Sequence, residues 1–383
     1  MRILVIHNQL WAHYKSKLFS EIYSNLSSSE PGSVFSVAHI ALHEASRSVM
    51  KDDETVKYDY PYKVLFNRSL DSVGFKERVK ALFKTFNEFQ PTILNVTGYF
   101  DYAQVALMVY ARWKGVKVVL SSESSTMDHN RSPIKEKIKS WIVSNANAFF
   151  CFGKSSADYL LSLGVKESQI AVKHAAVIDE DIIRTHFEKA KKAFDQDLSA
   201  PTKRQFVYVG RLAEEKNLEM LIETFKSLKE KPAGADWNLL FVGDGPARKS
   251  LELLSGDYLQ NKSIIFAGGH PWYKVPEWLA QSDVLILPSK SEPWGLVVNE
   301  AMVCGMPVIV SEKCGCAEDL VKDNVNGFTF SPDNKSQLEN AMQFFAKHPE
   351  KIEPMGDASL ALIKPFSSKT VAKEMVACYK SLG

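Results

Sequence analysis

The sequence predicts an α/β protein of two domains, each a parallel sheet covered by helices on both faces. Three observations carry that expectation. The chain has 383 residues, more than the roughly 100–200 of an ordinary domain. Short apolar runs alternate with amphipathic stretches along its whole length, the pattern of strand–helix–strand units. A charged, poorly patterned stretch, 179–204, closed by Ala200 and Pro201, splits the alternation into two series and reads as a linker.

In the first series, 2–7, 33–42, 63–66, 92–96, 116–121 and 148–152 read as strands, each rich in Val, Ile, Leu or Phe. Between them, 75–86 places Phe75, Val79, Leu82, Phe83 and Phe86 at helical spacing, with Lys76, Arg78, Lys80 and Lys84 elsewhere on the cylinder. The second series reads as strands at 205–210, 237–243, 263–268, 283–288, 307–311 and 327–330, a second Rossmann-like unit. A final helix spans 367–382. The expected division is 1–175, 176–365 including the linker, and 366–383 as a helix returning to the first domain. Ligands of open parallel sheets bind beyond the carboxyl ends of the strands, so the expected site is a cleft between facing domains.

Composition narrows the function. With 45% hydrophobic and 24% charged residues, the chain has material for real cores and no signature of disorder. Net charge is +2, but residues 1–175 hold 22 Lys and Arg against 16 Asp and Glu, leaving 25 against 29 for the rest. A modest basic surplus suits an anionic lipid headgroup or phosphate and is too thin to argue for nucleic acid. Five cysteines without framework spacing predict a reducing compartment, the cytoplasm. The longest uncharged stretch, 140–153, is shorter than the ~18–20 residues of a membrane span, and the apolar run after Met1 is too short for a signal-peptide core.

The densest signal is the segment 282–302. An apolar strand stops at Pro288, a polar loop follows, and Pro293 stands where a helix would begin, its missing N–H costing nothing there. The amides of Gly295, Leu296 and Val297, beside Trp294, would then face outward as an anion site at a helix N-terminus. Glu292 and Glu300 are eight residues apart, about two helical turns, so both carboxylates can face one pocket. Alternatively Glu292 is a helix-start carboxylate and Glu300 an exposed helix residue. Earlier, Gly210-Arg211 and Lys216 follow the first strand of the second series, where a guanidinium fork and an ammonium could clamp a diphosphate or simply decorate a solvated loop. Asp244, Gly245 and His270, after the next two strands, are assigned to the same donor side.

These motifs together resemble the glycosyltransferase family 4 group (group 1 glycosyl transferases), retaining enzymes of GT-B architecture, over most of residues 205–331. Phe241-Val242-Gly243-Asp244-Gly245-Pro246, Cys304-Gly305-Met306-Pro307-Val308 and Asn326-Gly327-Phe328 are similar to further landmarks of that family. The resemblance implies that Arg211 and Lys216 hold a donor diphosphate of UDP or GDP type, Glu300 the ribose, and Glu292 the donor sugar near its reacting carbon. It implies a sugar acceptor that is a glycan, a lipid-linked molecule or a small molecule, as in surface polysaccharide or glycoconjugate synthesis. No resident cofactor and no metal is expected.

In the first half the resemblance is weaker. Paired glycines expected after the first strand are replaced by His7-Asn8-Gln9-Leu10-Trp11-Ala12-His13-Tyr14, and a His expected at a later strand end is replaced by Glu123. Glu123 is taken as a catalytic carboxylate on the acceptor side, with His13 and His129 as acceptor-side candidates. The basic helix 75–86 and Lys135, Lys137 and Lys139 suggest peripheral contact with an anionic membrane, unless the apolar stripe packs on the sheet. Two other readings remain: a nucleotide-sugar-binding protein with weak catalysis, and a nicotinamide-dependent dehydrogenase. Against the latter, Arg248 stands where a dinucleotide fingerprint needs its third glycine.

Overall fold

Parallel strands buried on both faces must be apolar almost throughout, which is why they stand out in this sequence. The computed structural model describes residues 1–44, 58–123, 133–196 and 204–383. They divide into two units, 1–179 with 365–383, and 180–364.

The first unit runs β1 (Arg2–Gln9), α1 (His13–Ser29), β2 (Val34–His43), β3 (Tyr62–Ser69), α2 (Phe75–Phe89), β4 (Ile93–Thr97), α3 (Tyr102–Trp113), β5 (Lys117–Ser122). It continues with α4 (Pro133–Val143), β6 (Ala148–Cys151), α5 (Lys154–Ser162) and β7 (Ile170–Val172). The strands form one parallel sheet in the order β3-β2-β1-β4-β5-β6-β7. Alternation sorts β1 between the two faces. Leu4 and Ile6 join a core with Leu82, Phe86, Leu107 and Met108 beneath α2 and α3. Val5, with Asn95 and Phe150, faces Leu18 and Ile22 of α1.

The second unit runs α6 (Glu180–Gln196), β8 (Arg204–Val209), α7 (Leu218–Lys229), β9 (Trp237–Val242), α8 (Arg248–Ser255), α9 (Asp257–Gln260), β10 (Ile264–Gly268), α10 (Val275–Leu279). It closes with β11 (Val284–Leu287), α11 (Leu296–Val303), β12 (Val308–Ser311), α12 (Ala317–Leu320), β13 (Gly327–Phe330), α13 (Lys335–Lys347) and α14 (Ile352–Ile363). Its parallel sheet has the order β10-β9-β8-β11-β12-β13. Both orders turn back beside the first strand, between β1 and β4 and between β8 and β11, and each turning point leaves a crevice at the carboxyl ends.

The last helix, α15 (Ser368–Leu382), belongs to the first unit and packs on α1 and β7. There the Asn95 amide donates to the Tyr379 hydroxyl (2.7 Å), and the Tyr379 ring lies edge-on to Phe150.

Two expectations change. Most of the stretch read as linker is the helix α6, packed on α10 and α11. Its Ile183, Phe187, Ala190 and Phe194 form a helical stripe, at least half-buried, that the surrounding charges mask in sequence. In the basic helix α2, Leu82 and Phe86 lie in the core, with Val79 and Phe83 packed against it, so its stripe faces the protein. Among the described residues, no helix is long and apolar enough to cross a membrane.

Candidate functional site

The crevice of the second unit is built by the loops after β8 and β11. The three strand ends β8, β9 and β10 each meet a glycine, and these bond in series: Gly210 N–H donates to Val242 O (2.9 Å) and Gly243 N–H to Gly268 O (2.8 Å). Gly243 has φ +146°, and a Cβ there would stand 1.9 Å from Gly210 O. Only glycine allows so close a backbone approach. The buried Tyr208 hydroxyl donates to Arg211 O (2.8 Å), fixing the start of the loop that carries Arg211 and Lys216.

From that loop the Lys216 ammonium reaches Glu292 Oε2 at 2.5 Å, with both side chains mostly buried. Glu292 is held by its own backbone as well: its N–H donates to Lys313 O (3.3 Å), and Gly315 N–H donates to its carbonyl (2.9 Å). Arg211, largely exposed, pairs instead with Glu215, one turn on. The Glu215 carbonyl in turn accepts from Lys290 N–H (2.9 Å), tying the two loops together.

Helix α11 starts at Leu296, three residues after Pro293, so Pro293 is not its first residue. Gly295 caps it at φ +100°. Val298 N–H turns back to Gly295 O (2.9 Å), whereas the amides of Leu296 and Val297 precede any intrahelical acceptor and point along the helix axis. Glu300 lies one turn further on and is half-buried. Burial pushes its carboxyl up to about 8, so it is largely protonated at neutral pH. The Cys314–Gly315–Cys316 turn braces this segment from below: a Cβ at Gly315 would stand 2.0 Å from Pro293 O, and Cys316 N–H donates to Trp294 O (3.2 Å). Both thiols are buried and shifted upward, which suits packing and not nucleophilic chemistry.

Of the remaining donor-side candidates, Asp244 and Gly245 pack on the Arg211 loop: Leu212 N–H donates to Asp244 O (2.9 Å), and a Cβ at Gly245 would stand 2.3 Å from Leu212 O. Trp294 is buried, and its indole N–H donates to Asn299 Oδ1 (2.9 Å), an interior contact. Asp244 accepts from Gly245 N–H (2.7 Å) and pairs with Arg248 (3.2 Å). His270, beyond the edge strand β10, has its Nε2 3.2 Å from Ala267 O.

In the first unit Glu123 follows β5 and its half-exposed carboxylate stands 3.4 Å from the Lys15 ammonium. Lys15 is buried on α1, 4.6 Å from the Phe152 ring centroid; burial lowers its pKa, and Glu123 opposes that shift. His13 is the first residue of α1. His129 lies outside the described residues.

Sequence reasoning passed over two residues. Lys15 sits in line with the apolar positions Leu18, Phe19, Ile22 and Leu26 of α1, and a lysine on a helix's apolar stripe is a legible signal of buried charge. Ser289, at the end of β11, is fully buried, and its hydroxyl has no hydrogen-bond partner among the described residues. Nothing in its sequence neighbourhood marks it.

Residues 189–360 match the family of glycosyl transferases, group 1. That match covers most of the second unit. The chain is similar to an alpha-D-kanosaminyltransferase of Streptomyces kanamyceticus, 27% identical over 46% of the chain and 45% of the relative. The sulfoquinovosyl transferase SQD2 of Arabidopsis thaliana is 26% identical over 71% of the chain and 53% of its own length. The chain thus spans about half the length of the curated relatives it matches. The crystal structure of Anabaena Alr3699/HepE in complex with UDP shares its fold at a TM-score of 0.73 and 18% identity, covering 100% of both chains. The fold is therefore of GT-B type, two Rossmann-like units in one chain.

Proposed function

We propose that this protein is a retaining, metal-independent glycosyltransferase that moves a hexose-type sugar from a nucleoside diphosphate to a glycan, lipid-linked or small-molecule acceptor. The observation that carries the reading is the convergence of Lys216, Glu292 and the first amides of α11 on the crevice between β8 and β11. A departing diphosphate needs fixed positive charge and N–H donors aimed at it, and this crevice holds both. As the bond from the anomeric carbon to the diphosphate oxygen breaks, Lys216 and Arg211 stabilise the departing charge. Glu292 stands beside the positively charged sugar. The acceptor oxygen bonds to the anomeric carbon, and its proton passes to the departing phosphate.

Glu300 takes the ribose of the donor, with its protonated carboxyl able both to donate and to accept a hydrogen bond. Glu123, paired with Lys15, serves the acceptor side. The departing charge falls to Lys216, Arg211 and the helix amides. All five cysteines are buried and free of disulfides, in keeping with a cytoplasmic enzyme.

The test is thermal unfolding with UDP, GDP, ADP and NAD, followed by hydrolysis of the corresponding donor sugar without acceptor. A nucleoside diphosphate at 100 times its Kd raises stability by about 2.7 kcal/mol. Stabilisation by NAD alone would mean dehydrogenase chemistry. Stabilisation by a diphosphate without donor turnover would leave a binding protein.

A further inference from the structure

Helix α4 turns a bare apolar face outward. Ile134, Ile138 and Trp141 recur at i, i+4 and i+7, which places them on one side of the helix. They are 72%, 52% and 57% exposed, values ordinary for charged side chains and unusual for three large apolar ones in a row. The helix is anchored elsewhere, by the buried Ile142 and Val143.

Charge on α4 is sorted as well. Its one acid, Glu136, is turned to the Tyr159 hydroxyl (3.1 Å), and Lys139 joins the same contact, 2.6 Å from Tyr159 and 3.2 Å from Glu136. Lys135 and Lys137, both exposed, flank the apolar face on either side. The outward surface is thus a strip of two isoleucines and a tryptophan with a lysine rim and no carboxylate of its own helix.

We infer that α4 docks the protein on an anionic lipid surface, lying in the membrane plane. Ile134, Ile138 and Trp141 sink to the headgroup–acyl boundary, and Lys135 and Lys137 meet the lipid phosphates. Lysine is depleted from protein–protein interfaces but is recruited by anionic bilayers, and tryptophan favours the membrane–water boundary, so the strip fits lipid better than a protein partner. Lysine stems can also cover apolar surface while their ammonium groups stay in water. At 11 residues α4 is about 16 Å long, suited to lying flat and far too short to span. The inference does not depend on the sugar-transfer reading.

The test is sedimentation with vesicles of equal parts phosphatidylcholine and phosphatidylglycerol, against vesicles of phosphatidylcholine alone. The wild-type protein should sediment with the anionic vesicles at low ionic strength and be released by added salt. The triple variant Ile134→Ser, Ile138→Ser, Trp141→Ser should lose roughly tenfold or more of the bound fraction, because it removes the inserted area. The variant Lys135→Gln, Lys137→Gln should lose most of the salt sensitivity. Lys76→Gln with Lys80→Gln on the packed helix α2 should bind as wild type, and thermal unfolding should be unchanged in every variant. Sedimentation equal for the wild type and the triple variant, or absent with anionic vesicles, overturns the inference. So does concentration-dependent self-association that the triple variant abolishes without any vesicle binding, which would make the strip a protein interface.

Discussion

The Lys216 ammonium lies 2.5 Å from Glu292 Oε2, joining loops that are 76 residues apart in the chain. One cation thereby fixes the Glu292 carboxylate, and in the proposed reaction the same cation meets the diphosphate. Lys216→Met should lower kcat/KM by on the order of 10²-fold or more, and Glu292→Gln by a comparable factor. Because the two groups touch, the double variant should lose distinctly less than the product of the single losses. Strictly multiplicative losses in a double-mutant cycle would show that the pair does not act as one device.

Arg211 is exposed and pairs with Glu215, a neighbour on its own loop, so it contributes little to stability. Arg211→Ala should therefore leave the melting temperature nearly unchanged while cutting turnover on the order of 10²-fold, the usual loss for a donor aimed at departing charge. Wild-type turnover in a folded variant counts against the diphosphate role.

Glu300 carries a pH signature. The pKa of its carboxyl is about 8 in the folded chain, against 4.5 for a glutamate in water, so between those values the folded state holds a proton that the unfolded state has released. Stability from this residue is full below about 4.5 and falls as pH rises toward about 8. Glu300→Gln keeps the shape without the titration, so its stability advantage over wild type should grow across that window, by up to a few kcal/mol at about 1.4 kcal/mol per unit. Parallel stability–pH curves for the two proteins would contradict a carboxyl held protonated by burial.

Lys15 is a buried cation with a half-exposed counterion. Glu123→Gln strips it of that partner and should cost about 1–3 kcal/mol, below the value for a fully buried pair. Lys15→Met fills similar volume and should be close to neutral. In the Met background the cost of Glu123→Gln should vanish, as measured by denaturant unfolding. Since burial lowers the Lys15 pKa, the penalty should also shrink as pH rises through that lowered value and the amine becomes neutral. An equal penalty in both backgrounds would assign Glu123 a role unrelated to Lys15.

Transfer should survive EDTA, because the departing charge is met by Lys216, Arg211 and helix amides. Activity lost to EDTA and restored by Mn²⁺ or Mg²⁺ would require a metal in the site.

Among the described residues, twelve of the thirteen strands were legible because buried parallel strands are continuous apolar runs. The thirteenth, β7, has three residues at a sheet edge, too short to carry a pattern. Helix α6 hid its stripe among charges, and residues 179–204 looked like a linker for that reason. Within the site, Gly210, Lys216, Glu292 and Gly295 were legible as motif positions on strand–helix loops. The pairing of Lys216 with Glu292 was not, since contact across 76 residues is a property of sheet order and not of local spacing. Nor was the interior position of Trp294, whose partner Asn299 reads as one more polar residue on a helix.

The bond from Asn95 to Tyr379 closes 284 positions of sequence, and it sets an order of events during synthesis. One face of the first sheet awaits Val371, Met375 and Tyr379, which are translated only after the whole of 180–364. At 5–20 residues per second that interval is roughly 10–40 s. The unit translated first is therefore completed last, while the unit translated second can close on the ribosome without waiting. During that interval Val5 and Phe150 lack the cover of α15 on that face, so the nascent chain should be a client for apolar-binding chaperones until α15 arrives.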